Sequence, residues 1–140
     1  MERSAEDSDH TLDSRCSGVL VIDDEKSVAE VLSIMAEENG YDVARADDYD
    51  SGLKAAAEAP DRLVVCDFNL GQYKGTDLLR KAKEKNPDLR AVILSGKAKD
   101  PDVKQELEQA VEEGVIFEFG AKPICMKDYL SMLDRYVEPA

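Results

Sequence analysis

Polar side chains stand directly after several short apolar runs of this sequence. Asp23 and Asp24 follow the first run, Asp67 follows the next strong run, Ser95 ends another, and Lys122 lies nearer the end of the chain. Clustered carboxylates repel one another unless a cation neutralises them, and hard carboxylate oxygens favour Mg²⁺. A carboxylate beside Mg²⁺ can attack phosphorus, while a lysine neutralises the transferring oxygens and a hydroxyl donates to one of them. The residue types therefore fit phosphoryl transfer to an aspartate.

The apolar runs indicate the elements that would bring these side chains together. Runs of about four residues, rich in Val and Ile, are typical of buried strands in a parallel sheet. The strong runs lie at 19–22, 63–66 and 91–94, and weaker ones lie at 41–44 and 115–117. Strict alternation with helical stretches predicts five β-α units, with helices on both faces of a five-stranded parallel sheet. Ligands of such sheets bind beyond the carboxyl ends of the strands, where the polar residues stand.

Local signals place several of the helix ends. Gly40 is expected to end the helix after the first strand, and a second helix is predicted over 49–59. Asp100 and Pro101 have the residue types of an N-cap followed by a first-turn proline, so a further helix is predicted to begin there.

Composition narrows the classes of partner. The chain has 140 residues and a net charge of −13, so duplex nucleic acid and anionic membranes are not expected as main partners. No apolar run approaches the ~20 residues that span a bilayer. Three cysteines without C-x-x-C spacing indicate a reducing cytosol, and we expect a cytoplasmic protein. Residues 1–18 are acidic and polar, so a flexible tail is predicted there, followed by one domain over 19–138.

The ordered set of motifs resembles the receiver domain of response regulators in two-component signalling. The resemblance covers about residues 19–137. The matching pieces are the acidic pair in VLVIDDE, Asp67 in LVVCDFNLG, Gly75 eight residues later, Ser95 in VILSG, and Lys122-Pro123 in FEFGAKP. One departure is Gly71, which stands where the family usually has a proline.

The resemblance implies a flavodoxin-like, doubly wound (βα)5 fold and a role for each matching residue. Asp67 would be the phosphoacceptor, and Ser95 and Lys122 would contact the phosphoryl group. The implied Mg²⁺ ligands are Asp23, Asp24, Asp67 and the carbonyl of Asn69. Phe119 would be the switch aromatic, with Phe117 as the other candidate, and a cis peptide is predicted between Lys122 and Pro123.

By this resemblance the protein is a phosphorylation-dependent switch, which changes its partner-binding surface. It would receive its phosphoryl group from a histidine kinase or histidine phosphotransfer protein and would act on a downstream protein that the sequence does not identify. It would be no enzyme beyond its own phosphorylation and dephosphorylation. One alternative is a Mg²⁺-dependent phosphohydrolase with an aspartyl nucleophile, although the usual D-x-D-x-T pattern is missing because Asn69 stands at the position of its second acid. The other is a receiver-like module that acts by contact alone.

Overall fold

In the computed structural model, residues 15–58 and 61–140 are described, and strands alternate with helices along them. The strands are β1 (Gly18–Ile22), β2 (Val43–Ala46), β3 (Arg62–Asp67), β4 (Asn69–Leu70), β5 (Tyr73–Lys74), β6 (Arg90–Ser95) and β7 (Phe119–Ala121). The helices are α1 (Lys26–Glu38), α2 (Tyr49–Glu58), α3 (Gly75–Lys85), α4 (Pro101–Glu112) and α5 (Met126–Tyr136). Within these residues, no helix combines the length and apolar composition that a membrane crossing needs.

The main sheet has five parallel strands in the order β2-β1-β3-β6-β7. The predicted doubly wound, flavodoxin-like α/β fold is therefore confirmed. The chain runs from β1 outward to β2 and then crosses back to β3 on the other side of β1. This reversal creates a crevice at the carboxyl ends of β1 and β3, which is the position where open α/β sheets bind ligands.

Alternation along the central strands gives each face of the sheet its own core. Leu20 and Ile22 of β1 belong to a buried cluster with residues of α2, α3 and α4. Val19 and Val21 belong to a second cluster with residues of α1 and α5. Every residue of β1 is buried, as expected for a strand covered by helices on both faces. Two of the cysteines, Cys16 and Cys66, are also buried, and Cys125 is exposed.

Two of the five predicted strands lie later in the chain than expected. A strand was predicted at 41–44, and β2 lies at Val43–Ala46. Another was predicted at 115–117, and β7 lies at Phe119–Ala121. Val115 and Ile116 are nevertheless buried, because they cover the core beside α4 after that helix ends. Burial of a short apolar run does not distinguish a strand from a helix-terminal turn.

The predicted tail falls partly outside the described residues, which begin at residue 15. The last four residues of that tail, 15–18, are part of the fold. Cys16 is 1% exposed, its N–H donates to the carbonyl of Tyr136 at 2.7 Å, and it bridges to Val137. Gly18 already belongs to β1. Backbone pairing with the end of α5 extends the folded part beyond what side-chain hydrophobicity indicates.

A small hairpin, β4–β5, was not predicted and stands between Asp67 and α3. Its two strands pair antiparallel, and Gly75 follows it as the first residue of α3. The N–H of Gly75 donates to the carbonyl of Phe68 at 2.6 Å. A Cβ at Gly75 would overlap the carbonyl oxygen of Asp67 and press on Cys66. The start of α3 is therefore packed directly against the end of β3.

This close approach makes Gly75 a sensitive position. Gly75→Ala should lower the free energy of unfolding by about 1–3 kcal/mol, because the backbone beside Asp67 must move to admit the methyl group. Gly96→Ala is the matched control, since a Cβ there meets open space, and its effect should stay within about 0.5 kcal/mol. Urea denaturation of both variants measures the difference. An equal loss in the two variants would contradict the prediction.

Candidate functional site

Strand register brings the predicted side chains to one edge of the sheet. Ile22 pairs with Cys66, so Asp23 and Asp67 stand side by side just beyond that pair. Asp67 itself pairs with Leu94, which places Ser95 one residue further along β6. The crevice at the carboxyl ends of the strands thus collects residues that are far apart in the chain.

Lys122 connects two of the carboxylates. Its Nζ lies 3.0 Å from Oδ2 of Asp23 and 3.0 Å from Oδ1 of Asp67. All three side chains are largely removed from water, with Asp23 only 2% exposed. Burial alone would lower the pKa of Lys122, yet hydrogen bonds and charges from Asp67 and Asp23 leave that pKa above its ordinary value of 10.5. The ammonium group therefore stays protonated between its two partners.

Asp67 experiences opposing influences. Burial raises the pKa of its carboxyl above the ordinary value of 3.8, and the hydrogen bond from Lys122 acts in the opposite direction. The charge of Asp23 raises this pKa again, and the nearby backbone N–H of Asn69 lowers it. Such a carboxyl group is poised to gain from any further cation that enters the crevice.

Asp24 completes an acidic triad at the mouth of the crevice. Asp23, Asp24 and Asp67 each offer a carboxylate oxygen, and these oxygens lie within 4.8 Å of one another. Asp24 is exposed, and its Oδ2 accepts the backbone N–H of Gly71 at 2.9 Å. When ionised, three carboxylates facing one lysine leave a net charge of two negative units. Hard oxygen donors with that residual charge fit a divalent cation such as Mg²⁺.

The other predicted residues take up distinct places. Ser95 is fully buried, and its Oγ accepts the backbone N–H of Lys97 at 3.0 Å. Asn69 is exposed at the start of β4, one residue away from Phe68 and two from Asp67. Asn69 is therefore close to Asp67 along the chain, and Ser95 follows the residue that pairs with Asp67 in the sheet. The peptide between Lys122 and Pro123 is cis, as predicted.

The two candidate switch aromatics differ in environment. Phe119 is half-buried, pairs with Ile93 in the sheet, and packs against the core on the α4 side. Phe117 is exposed and stacks on Tyr136, with ring centroids 4.9 Å apart. Phe119 therefore stands between the core and the surface, two residues before the pairing partner of Ser95.

Sequence reasoning missed the backbone groups that hold the carboxylates. The N–H of Glu25 donates to Oδ1 of Asp23 at 2.9 Å, and the N–H of Gly71 donates to Asp24. Main-chain donors carry no residue-type signature. The one available signal was Gly71 itself, which supplies an N–H that a proline at that position would lack.

Comparison with known proteins agrees with this geometry. Residues 19–133 match the family model of the response regulator receiver domain. The chain belongs to the response-regulator receiver family. Receiver domains typically catalyse nothing beyond the chemistry of their own phosphorylation. The acidic triad of this receiver fits the divalent metal site typical of the family.

Individual relatives are similar in sequence and in structure. The two-component response regulator PprB of Pseudomonas aeruginosa is 32% identical over 126 residues, which cover 87% of this chain and 44% of PprB. A response regulator from Burkholderia pseudomallei, solved with a phosphorylated aspartic acid, calcium ion and citrate, is 31% identical, with a TM-score of 0.71 and coverage of 84% of this chain and 66% of that one. A CheY-like receiver domain from Methanospirillum hungatei shares the fold, with a TM-score of 0.73, 22% identity, and coverage of 85% and 91%.

The receiver spans only part of the curated relatives that it matches. It covers 34%, 44% and 51% of three of them, two of which are named as probable transcriptional regulatory proteins. A relative from Mycolicibacterium smegmatis is named as a DNA-binding response regulator, and this chain covers 56% of it. The shared part is therefore the receiver, and the remaining length of those proteins has no counterpart in the present alignment.

The shared cation leads to a prediction on stability. Lys122→Gln should lower the free energy of unfolding at about pH 7 by roughly 3 kcal/mol, because two buried carboxylates lose their counter-ion. Without the ammonium group of Lys122, the pKa of Asp67 rises further above 3.8. The folded variant then binds more protons than its unfolded state. The loss should therefore shrink as the pH falls from about 7 towards about 4.

Urea denaturation at both ends of this pH range tests the sign. Lys97→Gln is the control, because Lys97 is exposed and contacts Ser95 only through its backbone N–H. An equal loss for Lys122→Gln at both pH values would refute the assigned role of the ammonium group.

Proposed function

We propose that this receiver is a phosphorylation-dependent switch in which Asp67 accepts a phosphoryl group from the phosphohistidine of a kinase or phosphotransfer protein. The observation that supports it best is the arrangement of Lys122 between Asp23 and Asp67, with Asp24 at the mouth. Asp67 is accessible enough to meet phosphorus, since it is 8% exposed at the end of β3. It is also surrounded by charges of the kind that phosphoryl transfer needs.

In the transfer step, an Asp67 carboxylate oxygen forms a bond to phosphorus as the bond between phosphorus and the donor imidazole nitrogen breaks. The donor imidazole, which carries a proton on its other ring nitrogen, leaves with the electron pair of that bond as a neutral group, and the product is an acyl phosphate on Asp67. Lys122 then moves its hydrogen bond from the carboxylate to a phosphoryl oxygen, and Ser95 donates its hydroxyl to another. In hydrolysis, a water oxygen forms a bond to phosphorus as the bond to the Asp67 oxygen breaks, which releases inorganic phosphate and restores the carboxylate.

Mg²⁺ is the proposed cofactor of this reaction. Asp23, Asp24, Asp67 and the carbonyl of Asn69 are its proposed ligands, and the three carboxylates already lie close enough together to share one ion. When bound, the ion would neutralise negative charge on the carboxylates and on the phosphoryl oxygens. A second function as a general phosphohydrolase is not favoured by any observation at the site.

We also propose the surface on which the phosphodonor docks. A groove lined mainly by apolar side chains runs along α1 and ends at Lys122 and Gly96. Val31, on this helix, is 54% exposed, and Pro123 and Ile124 form the opposite wall. A helix of the donor lying in this groove would bring its phosphohistidine to the mouth of the crevice. Continuity between the groove and the nucleophile favours this occupant.

The response to phosphorylation is proposed to pass through Ser95 and Phe119. A phosphoryl oxygen offers Ser95 a charge-assisted hydrogen bond, which competes with its present bond to the N–H of Lys97. Displacement of the loop after β6 would change the packing of Phe119, which is half-buried on the neighbouring strand. The surface around α4, β7 and α5 would change with it, and an unidentified downstream protein would bind there.

The nucleophile is tested by substitution. Asp67→Asn should abolish incorporation of a phosphoryl group from acetyl phosphate and Mg²⁺, because an amide cannot form the acyl phosphate. Intact-protein mass spectrometry should find one added phosphoryl group on the wild type and none on the variant. Asp77→Asn, on the exposed first turn of α3, is the control and should react like the wild type. Undiminished labelling of Asp67→Asn would exclude this residue as the acceptor.

The docking surface gives a separate prediction. The test uses a histidine phosphotransfer protein that phosphorylates the wild type. Val31→Asp should slow this transfer by about tenfold, because a charge would be buried in the apolar groove. Its reaction with acetyl phosphate should not change, since the small donor does not use the groove. Val111→Asp, at an exposed position on the other face of the sheet, is the matched control. Equal slowing with both donors would contradict a docking role.

A further inference from the structure

The β4–β5 hairpin contacts one of the three carboxylates through its backbone. The hairpin begins at Asn69, two residues after the proposed phosphoacceptor Asp67. The N–H of Gly71, in its turn, donates to Oδ2 of Asp24 at 2.9 Å. One short segment thus starts beside the phosphoacceptor and reaches the carboxylate at the mouth of the crevice.

The turn depends on glycine for its conformation. Asn69 pairs with Lys74 and Leu70 with Tyr73, so Gly71 and Gln72 form a two-residue connection. Gly71 has a φ of 64°, and two-residue hairpin turns require a positive φ at this first position. A proline, which the resemblance to receivers leads one to expect here, has a φ near −65° and no N–H. The donor to Asp24 therefore exists only because this chain departs from the family pattern.

Two anchors fix the hairpin to the body of the domain. On one side the ring of Tyr73 stacks on Tyr49 at the start of α2, with centroids 4.4 Å apart. On the other side Nζ of Lys74 lies 2.9 Å from Oε1 of Glu106 on α4. The hydroxyl of Thr76, just after the hairpin, donates to the second oxygen of the same carboxylate at 2.9 Å. The position of the Gly71 N–H is thus set by α2 and α4 together.

We propose that Gly71 is a positioning residue for the metal ligand Asp24, and that the hairpin carrying it is held in place for this purpose by Tyr73 and Lys74. The hydrogen bond occupies Oδ2 of the Asp24 carboxylate, restricts its rotation and leaves Oδ1 for metal binding. A ligand carboxylate that is already oriented loses less freedom when the ion arrives, and partners of this kind commonly change metal affinity by about 10- to 100-fold. This inference rests on the proposed Mg²⁺ site.

The first experiment compares two substitutions at one position. Gly71→Pro removes the donor, and Gly71→Asn keeps the N–H with a side chain that tolerates a positive φ. Isothermal titration with MgCl₂ should find binding to Gly71→Pro weakened by about tenfold and binding to Gly71→Asn within about twofold of the wild type. Equal affinity in all three proteins would overturn the proposal, and so would an equal loss in both variants, since glycine's conformation would then matter rather than its N–H.

A second experiment addresses the anchors. Tyr73→Ala should weaken Mg²⁺ binding about threefold, because the loss of the stack on Tyr49 frees the turn. Ile34→Ala removes an exposed apolar side chain of α1 instead and should leave the affinity unchanged. A wild-type affinity for Tyr73→Ala would overturn the role of this anchor.

A measurement on the wild type keeps the inference testable if Gly71→Pro does not fold. In hydrogen-exchange NMR, the Gly71 amide should remain protected when MgCl₂ is added, and Asp24→Ala should expose it. Loss of protection on addition of Mg²⁺ would overturn the proposal, because the ion would then replace the hydrogen bond. Failure of the wild type to bind Mg²⁺ at all would instead refute the proposed metal site, so the two failures are distinct.

Discussion

Electrostatic repulsion among three neighbouring carboxylates is the constraint on which this receiver depends. Parallel strands with alternating helices bring Asp23 and Asp67 to adjacent strand ends, where burial makes their charges costly. The ammonium group of Lys122 offsets part of that cost through two contacts of 3.0 Å. The remainder is left uncompensated. A site that stays short of positive charge attracts a divalent cation more strongly than a neutral site would.

The fold was largely predictable because apolar runs report burial on both faces of a strand. The runs leading to Asp23, Asp67 and Ser95 coincide with β1, β3 and β6, and the Asp100 side chain caps α4 as its sequence predicts. The edge strands were misplaced by a few residues, since edge positions are only partly buried and their apolar pattern is weak. The hairpin went unpredicted because two-residue strands contain too few positions to have a pattern.

In the candidate site, side chains could be predicted from the sequence and backbone donors could not. Side chains with a distinctive chemistry, such as Asp67 and Lys122, could be expected at one edge of the sheet from type and order, and they are in contact there. The backbone donors to Asp23 and Asp24 could not, since every residue except proline has an N–H. Their direction depends on local backbone geometry, which lies in the loop after β1 for Glu25 and in the turn of the hairpin for Gly71.

The distribution of the three cysteines has a practical consequence for spectroscopy. Cys16 and Cys66 are buried, and burial further raises the pKa of the Cys66 thiol, so neither offers a reactive thiolate to a reagent in solution. Cys125 is exposed, three residues after Lys122 and immediately before α5. A maleimide dye or nitroxide would therefore attach to the native protein at a single point. That point lies in the short segment between Lys122 and α5.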